Sequence, residues 1–198
     1  VAWRRLHLRK LVSIVLTLFV LSFVAMAENL PQNEVFGGFS HLSVDTHNLP
    51  PMIGEGYSNP AIGLNGWEGA FTHFFNKNVG VTADFSGFYG SPQFLGVSNL
   101  DSKLHTFMAG PTVAIARDKT ISGFGHALFG GSTLSLGSGE YTDRAFSLAI
   151  GGGLDAKVNK KFSVRIVQID YLHSNYNVAG YASTQNNLRF ATGLIYKF

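Results

Sequence analysis

The sequence predicts an all-β chain, an eight-stranded antiparallel up-and-down transmembrane barrel preceded by a cleavable helical signal peptide. Three observations predict it. A basic, then apolar, then small-residue leader opens the chain. Period-two alternation in segments of about ten residues, the length of a tilted transmembrane strand, fills the remainder. Short and long connections between those segments alternate strictly, as in a meander whose two ends differ.

The leader comes first. Arg4, Arg5, Arg9 and Lys10 precede a mainly apolar run from Leu11 to Val24, and Ala25-Met26-Ala27 follows with small residues at both ends of the triplet. That order predicts export and cleavage after Ala27. An anchoring helix needs about 20 apolar residues, and the Ala-x-Ala triplet closes this run early. The division expected is a signal peptide over 1–27, a short lead-in over 28–33 and a barrel over 34–198.

Removing the leader changes the charge balance. Four of the 15 Lys and Arg lie in it and none of the 12 Asp and Glu, leaving 11 basic against 12 acidic residues. A basic surface for nucleic acid is therefore not expected. Cysteine is absent, which excludes disulfides and thiolate chemistry. The histidines after the leader show no ligand spacing, so neither a metal nor a cofactor is expected. Charged residues are 14% of the chain against about 25% in soluble domains, while glycine and aromatics are abundant. With no second apolar run long enough for a helix, a membrane would have to be crossed by strands.

The strands expected are Glu34 to Val44, Leu64 to Phe75, Val79 to Tyr89, Leu104 to Ala116, Ile121 to Gly131, Ala145 to Val158, Phe162 to Leu172 and Asn187 to Phe198. Three connections are tight: Asn76-Lys77-Asn78, Arg117 to Thr120, and Asn159-Lys160-Lys161, where Asn and Asp supply turn conformations. The other four, Asp45 to Gly63, Gly90 to Lys103, Ser132 to Arg144 and His173 to Asn186, read as long loops rich in Gly, Ser, Asn and Pro. Both termini then lie at the short-turn end.

Alternation separates two faces. Trp67, Phe71, Phe75, Val81, Phe85, Tyr89, Phe146, Ile150 and Leu154 share the bulky apolar side; Gly66, Glu68, Ala70, Thr82, Asp84, Ser147, Gly151 and Asp155 share the other. The polar side is too poor in Lys and Glu for a solvated surface, and an eight-stranded barrel has room inside only for side chains. The apolar side is therefore assigned to lipid. Aromatics fall near both rims, Phe75, Phe162, Tyr196 and Phe198 at one and Trp67, Tyr89 and Tyr171 at the other.

The inward positions carry a sparse set of charges: Glu68, Asp84, Asp155, Lys157, Arg165, Asp170 and Arg189. Counting from the turn at Asn159 sets Asp155 opposite Arg165 and predicts an ion pair. Arg165 and the pair Gln168 and Asp170 belong to opposite alternations, so a β-bulge between Arg165 and Gln168 is expected. A polar, ion-paired lumen follows, because a lone buried charge would cost several kcal/mol.

The last strand, Asn187 to Phe198, ends on an aromatic, and Gly193, Tyr196 and Phe198 resemble the signal read by the outer-membrane barrel-assembly machinery; Ala191 departs from the polar residue usual there. With Glu34-Val35-Phe36-Gly37-Gly38-Phe39-Ser40 at the front, the chain resembles the small outer-membrane protein β-barrel superfamily, the OmpA/OmpX-like porin-type domain. The resemblance implies a bacterial outer-membrane location, contact with outer-membrane lipid and lipopolysaccharide, and assembly by that machinery. It names no reaction.

A structural or surface-interaction role, with four extracellular loops open to an external ligand, is the function expected. A narrow gated pore is the first alternative. A lipid-modifying enzyme is the second; it would draw on His173-Ser174 or on His41 and Ser43, with Glu140 or Asp143, none of which has the required spacing. No enzymatic activity is expected, and no tethering role, since no peptidoglycan-binding segment follows the barrel.

Overall fold

The computed structural model describes residues 30–45, 61–91, 101–136, 141–178 and 181–198. The signal peptide with Ala25 and Ala27, and most of the first two long connections, lie outside the described residues. Eight strands form one closed antiparallel barrel in which each pairs with its sequence neighbours and β1 closes on β8. They are β1 (Asn33–Asp45), β2 (Ala61–Phe74), β3 (Val79–Gly90), β4 (Ser102–Ile115), β5 (Ile121–Leu136), β6 (Tyr141–Lys157), β7 (Phe162–Val178) and β8 (Tyr181–Lys197). Closure is completed by reciprocal backbone bonds between Asn33 and Phe198, at 3.0 and 2.9 Å. Among the described residues no strand edge is left for another chain to pair with.

The short turns fold by one local device. Asn76 Oδ1 accepts the N–H groups of Asn78 and Val79 at 2.9 and 2.8 Å. Asn159 Oδ1 does the same for Lys161 and Phe162 at 2.8 and 2.9 Å. A side-chain carboxamide replaces the missing backbone acceptor, which is why Asn opens both turns. The third turn differs: Ala116 takes a left-handed φ of 56°, and Lys119 N–H donates to Ala116 O at 2.9 Å.

At the other end the sequence expectation needs correction. The loops expected at Ser132 to Arg144 and His173 to Asn186 are mostly strand, leaving connections of only 137–140 and 179–180. Alternation simply continues through their polar residues. Inside, Ser132, Ser147, Ser174 and Tyr176 form a chain of hydroxyl hydrogen bonds of 2.6 to 2.7 Å; outside, Thr184 donates to Asn175 at 3.1 Å. Strands of 16 or 17 residues are longer than the roughly 10 that cross a membrane, and the extra length lies at this end of the wall.

The outer wall is apolar. Phe39, Phe85, Phe107, Phe129, Phe146, Ile150, Ile169 and Leu194 are all exposed, a belt that only lipid would cover without penalty. At the short-turn rim Phe162, Tyr196 and Phe198 pack ring to ring at 5.2 and 5.7 Å. At the other rim Trp67 Nε1 donates to Tyr89 OH at 3.4 Å.

Candidate functional site

The lumen is where the sequence concentrates its unusual chemistry, and its geometry starts from the bulge in β7. On the β8 side Arg165 opposes Gly193 and Gln168 opposes Ala191, so Ile166 and Val167 together face the single residue Thr192. Thr192 Oγ1 donates to Arg165 O at 2.8 Å, satisfying a carbonyl that the irregular ladder exposes. The extra residue changes the parity of the strand. Arg165, Gln168 and Asp170 are consequently all buried in the interior, and Ile166 points outward to lipid.

Gln168 joins the two halves of the charge network. Asp155 stands opposite Arg165, and Arg165 Nε donates to Asp155 Oδ1 at 2.9 Å. Arg165 Nη1 donates to Gln168 Oε1 at 2.6 Å. Gln168 Nε2 then donates to Glu68 at 2.8 Å and to Asp170 at 2.7 Å, so every polar function of the carboxamide is engaged. The Arg165 guanidinium also lies between two rings, 4.4 Å from the centre of Phe36 and 4.0 Å from that of Phe124.

Arg189 occupies the centre, completely buried. Its Nη1 donates to Asp84 and its Nε to Asp170, each at 2.8 Å, and Glu68 lies 3.4 Å away. Nη2 approaches Asp170 to 2.7 Å but off the hydrogen-bond direction. Four carboxylates, Glu68, Asp84, Asp155 and Asp170, thus surround two guanidiniums. Hydrogen bonds offset the imbalance: Ser40 donates to Glu68 at 3.4 Å, and His126 Nε2 meets Asp170 Oδ1 at 2.8 Å.

The His126 contact depends on a glycine. His126, Gly151 and Asp170 occupy one row across β5, β6 and β7, and a Cβ on Gly151 would overlap Asp170 Oδ1. Without a side chain at the middle position, the imidazole reaches across to the carboxylate. Sequence reasoning missed His126, since the pairing requires the register of three strands at once.

A second buried cluster, also missed, closes the short-turn end. Arg117 Nη2 donates to Glu34 at 2.8 Å and to Pro31 O at 2.7 Å, while Lys197 Nζ lies 3.5 Å from Glu34. The Arg117 guanidinium stacks 3.6 Å from the centre of the Phe74 ring. Between this cluster and the central network lies a cavity of about 20 Å³, room for about one water. Lys157, assigned by parity to the network, is exposed at the end of β6; the network closes at Asp155, one inward position higher, and Lys157 lies beyond it.

Above the charges the lumen carries an apolar cluster beside the buried hydroxyl chain, correcting the expectation of a polar interior. Leu42, Leu64, Phe88, Leu104, Met108, Leu128, Ala149 and Leu172 form one buried cluster. On strand after strand the apolar residue follows the polar one by two positions: Ser40 and Leu42, Ser86 and Phe88, His126 and Leu128, Asp170 and Leu172. The narrow bore leaves no other place for them.

The serine and histidine candidates separate. Ser174 is buried within the lumen and bonded to Ser147, whereas His173 bonds Asn186 at 2.8 Å on the opposite face. His41 is engaged by Asn65 at 2.8 Å. Asp143 is on the inward register, and Glu140 lies outside the described residues. Among the described residues no group of three or more His, Asp or Glu is placed to hold a metal.

Comparison of the coordinates with solved structures finds small membrane barrels. Neisserial surface protein A aligns with a TM-score of 0.59 at 11% identity over 86% of this chain and 100% of that one. OprG of Pseudomonas aeruginosa aligns at 0.50 and 12%, over 87% and 98%. Ail, the attachment invasion locus protein of Yersinia pestis, aligns at 0.49 and 19%, over 85% and 99%. The chain has the fold of the small outer-membrane β-barrels. No protein-family model matches the sequence, and no curated protein matches it.

Proposed function

We propose that this barrel resides in a bacterial outer membrane, its short turns toward the periplasm, with a structural or surface-interaction role and without pore or enzymatic activity. The observation that carries the reading is the filled cross-section of the lumen: an apolar cluster led by Leu42, Phe88, Met108 and Leu172 stacked on the Arg189 charge network. Water and ions would have to displace both layers. The walls of β5 to β8, longer than a membrane crossing needs, supply outward surface for an extracellular ligand. The same reading assigns Gly193, Tyr196 and Phe198 to recognition by the barrel-assembly machinery, supported by their place on the closing strand and by the exposure of Tyr196 and Phe198.

Planar-bilayer recordings of the refolded barrel test the reading. No discrete conductance steps are expected for wild type. Steps in wild type, altered by Asp155→Ala or Arg165→Ala, would establish a gated pore instead.

A further inference from the structure

The distribution of cations on the outer wall carries a binding site. Eleven Lys and Arg follow residue 10. Lys77, Arg117, Lys119, Lys157, Lys160, Lys161 and Lys197 lie at the short-turn end, and Arg165 and Arg189 lie inside. Only Lys103 and Arg144 remain. Both are exposed, both are on the outer face near the long-connection rim, and among the described residues neither has a carboxylate partner.

Strand register brings the two together. One row across β4, β5 and β6 reads His105, Thr133, Arg144, and the row above it reads Lys103, Ser135, Thr142. Adjacent strands are about 4.8 Å apart, so His105 and Arg144 flank Thr133 at about 10 Å from each other. The row below reads Phe107, Gly131, Phe146. Gly131 leaves a gap between two exposed rings, and a Cβ added there would meet only Ala145 O, at 3.8 Å. The result is a groove of about 380 Å³ lined by His105, Phe107, Gly131, Thr133 and Arg144. Its upper edge is cationic and hydroxyl-bearing; its lower part is apolar.

We propose that this groove binds a phosphorylated acyl lipid of the outer leaflet, the lipid A portion of lipopolysaccharide. A phosphate at the upper edge would take charge-assisted hydrogen bonds from Arg144 and Lys103 and hydroxyl contacts from Thr133, Ser135 and Thr142. An acyl chain would descend through the Gly131 gap between Phe107 and Phe146. Charge complementarity and height on the wall argue for this occupant: Arg144 sits one row and Lys103 two rows above the apolar pair Phe107 and Phe146, at the level of the leaflet's headgroup phosphates. Tyr89 OH, 3.1 Å from His105 Nε2, orients the imidazole at the edge. The nearby carboxylates do not intrude, because Asp101 is held by Ser91 at 3.0 Å and Asp143 is on the inward register, bonded to the Arg144 N–H. The inference needs the barrel's place in the outer membrane but not its proposed surface role.

The test is retention of lipid A by the refolded full-length barrel in phosphatidylcholine nanodiscs, read by native mass spectrometry. Diphosphorylated lipid A is expected to be retained at least tenfold over its dephosphorylated form. Arg144→Ala and Lys103→Ala should each lower that retention about tenfold, and Arg144→Lys should recover part of it. Gly131→Leu, which fills the gap with the charges intact, should lower retention of both forms. Lys161→Ala, at the opposite end, should change nothing. Heat-modifiable gel migration confirms that each variant is folded. Equal retention of the dephosphorylated form, wild-type retention by Arg144→Ala and Lys103→Ala, or equal retention of phosphatidylglycerol would overturn the proposal.

Discussion

Replacing Arg189 by Met keeps most of the side-chain volume and removes the central charge. Glu68, Asp84 and Asp170 stay in place, each no more than 2% exposed, with His126, Gln168 and Ser40 as their remaining donors. Arg189 lies 2.8 Å from Asp84, 2.7 Å from Asp170 and 3.4 Å from Glu68. At an effective dielectric of about 20 each such contact is worth about 4 to 6 kcal/mol before desolvation, and removing one partner of a buried ion pair typically costs about 3 to 5 kcal/mol. The expected loss of stability is therefore about 4 kcal/mol. With a denaturant slope of about 2 kcal/mol/M, the urea midpoint should fall by about 2 M. Trp67, the lone tryptophan among the described residues, is on the lipid face and reports unfolding by its fluorescence. Adding Asp84→Asn and Asp170→Asn to Arg189→Met should recover more than half of the loss, because the repulsion is then removed. A midpoint shift below about 0.5 M, or a triple variant no better than the single one, would refute the argument that charge compensation holds this layer together.

Gly151→Ala should destabilise the barrel by about 2 kcal/mol, since the new methyl group overlaps both Asp170 Oδ1 and the Ile169 backbone carbonyl and disturbs the contact with His126; the urea midpoint reads this, and unchanged stability would count against the glycine's role. A double-mutant cycle of Asp155→Ala and Arg165→Ala should give a coupling of about 1 to 3 kcal/mol, with additive losses speaking against a working ion pair. Ala116→Gly should stabilise by about 0.5 to 1 kcal/mol by relieving the left-handed φ of 56°, visible as a higher melting temperature. Phe198→Ala leaves the backbone bonds to Asn33 intact; it should slow assembly in cells while spontaneous refolding in detergent stays near the wild-type rate.

The lumen shows where sequence reasoning reaches and where it stops. Parity along one strand is local information. Arg165, Gln168 and Asp170 cannot share a face without an extra residue between them, so the bulge was legible, and a turn of known length carried the count across to Asp155. His126 required more. Its partner is two strands away, and the glycine that makes room belongs to the strand between. Arg117 evaded alternation for another reason: it lies in a turn, where the left-handed Ala116 takes it out of strand parity, and its guanidinium reaches Glu34 beneath the barrel. The segments Ser132 to Arg144 and His173 to Asn186 resemble loops in sequence because Ser, Thr and Asn suit turns. Inside a barrel the same hydroxyls pair with one another across strands, as Ser132, Ser147 and Ser174 do, and outside it they pair above the membrane without any need for apolar cover.

The two layers of the lumen depend on each other through water. Buried ion pairs attract one another more strongly where water is excluded, and they offset their lost hydration through close geometry and added hydrogen bonds. The apolar cluster from Leu42 to Tyr176 provides that exclusion from the long-connection end, and the Glu34, Arg117 and Lys197 cluster narrows access from the short-turn end. Conversely, the apolar residues alone would specify register weakly, because one leucine can replace another across a shifted pair of strands. The charges cannot shift. A slip of one residue between β7 and β8 would carry Asp170 or Arg189 to the lipid face, where an arginine near the bilayer midplane costs about 2 to 4 kcal/mol and an aspartate less. The apolar layer therefore makes the charge network strong, and the charge network makes the barrel's register single-valued.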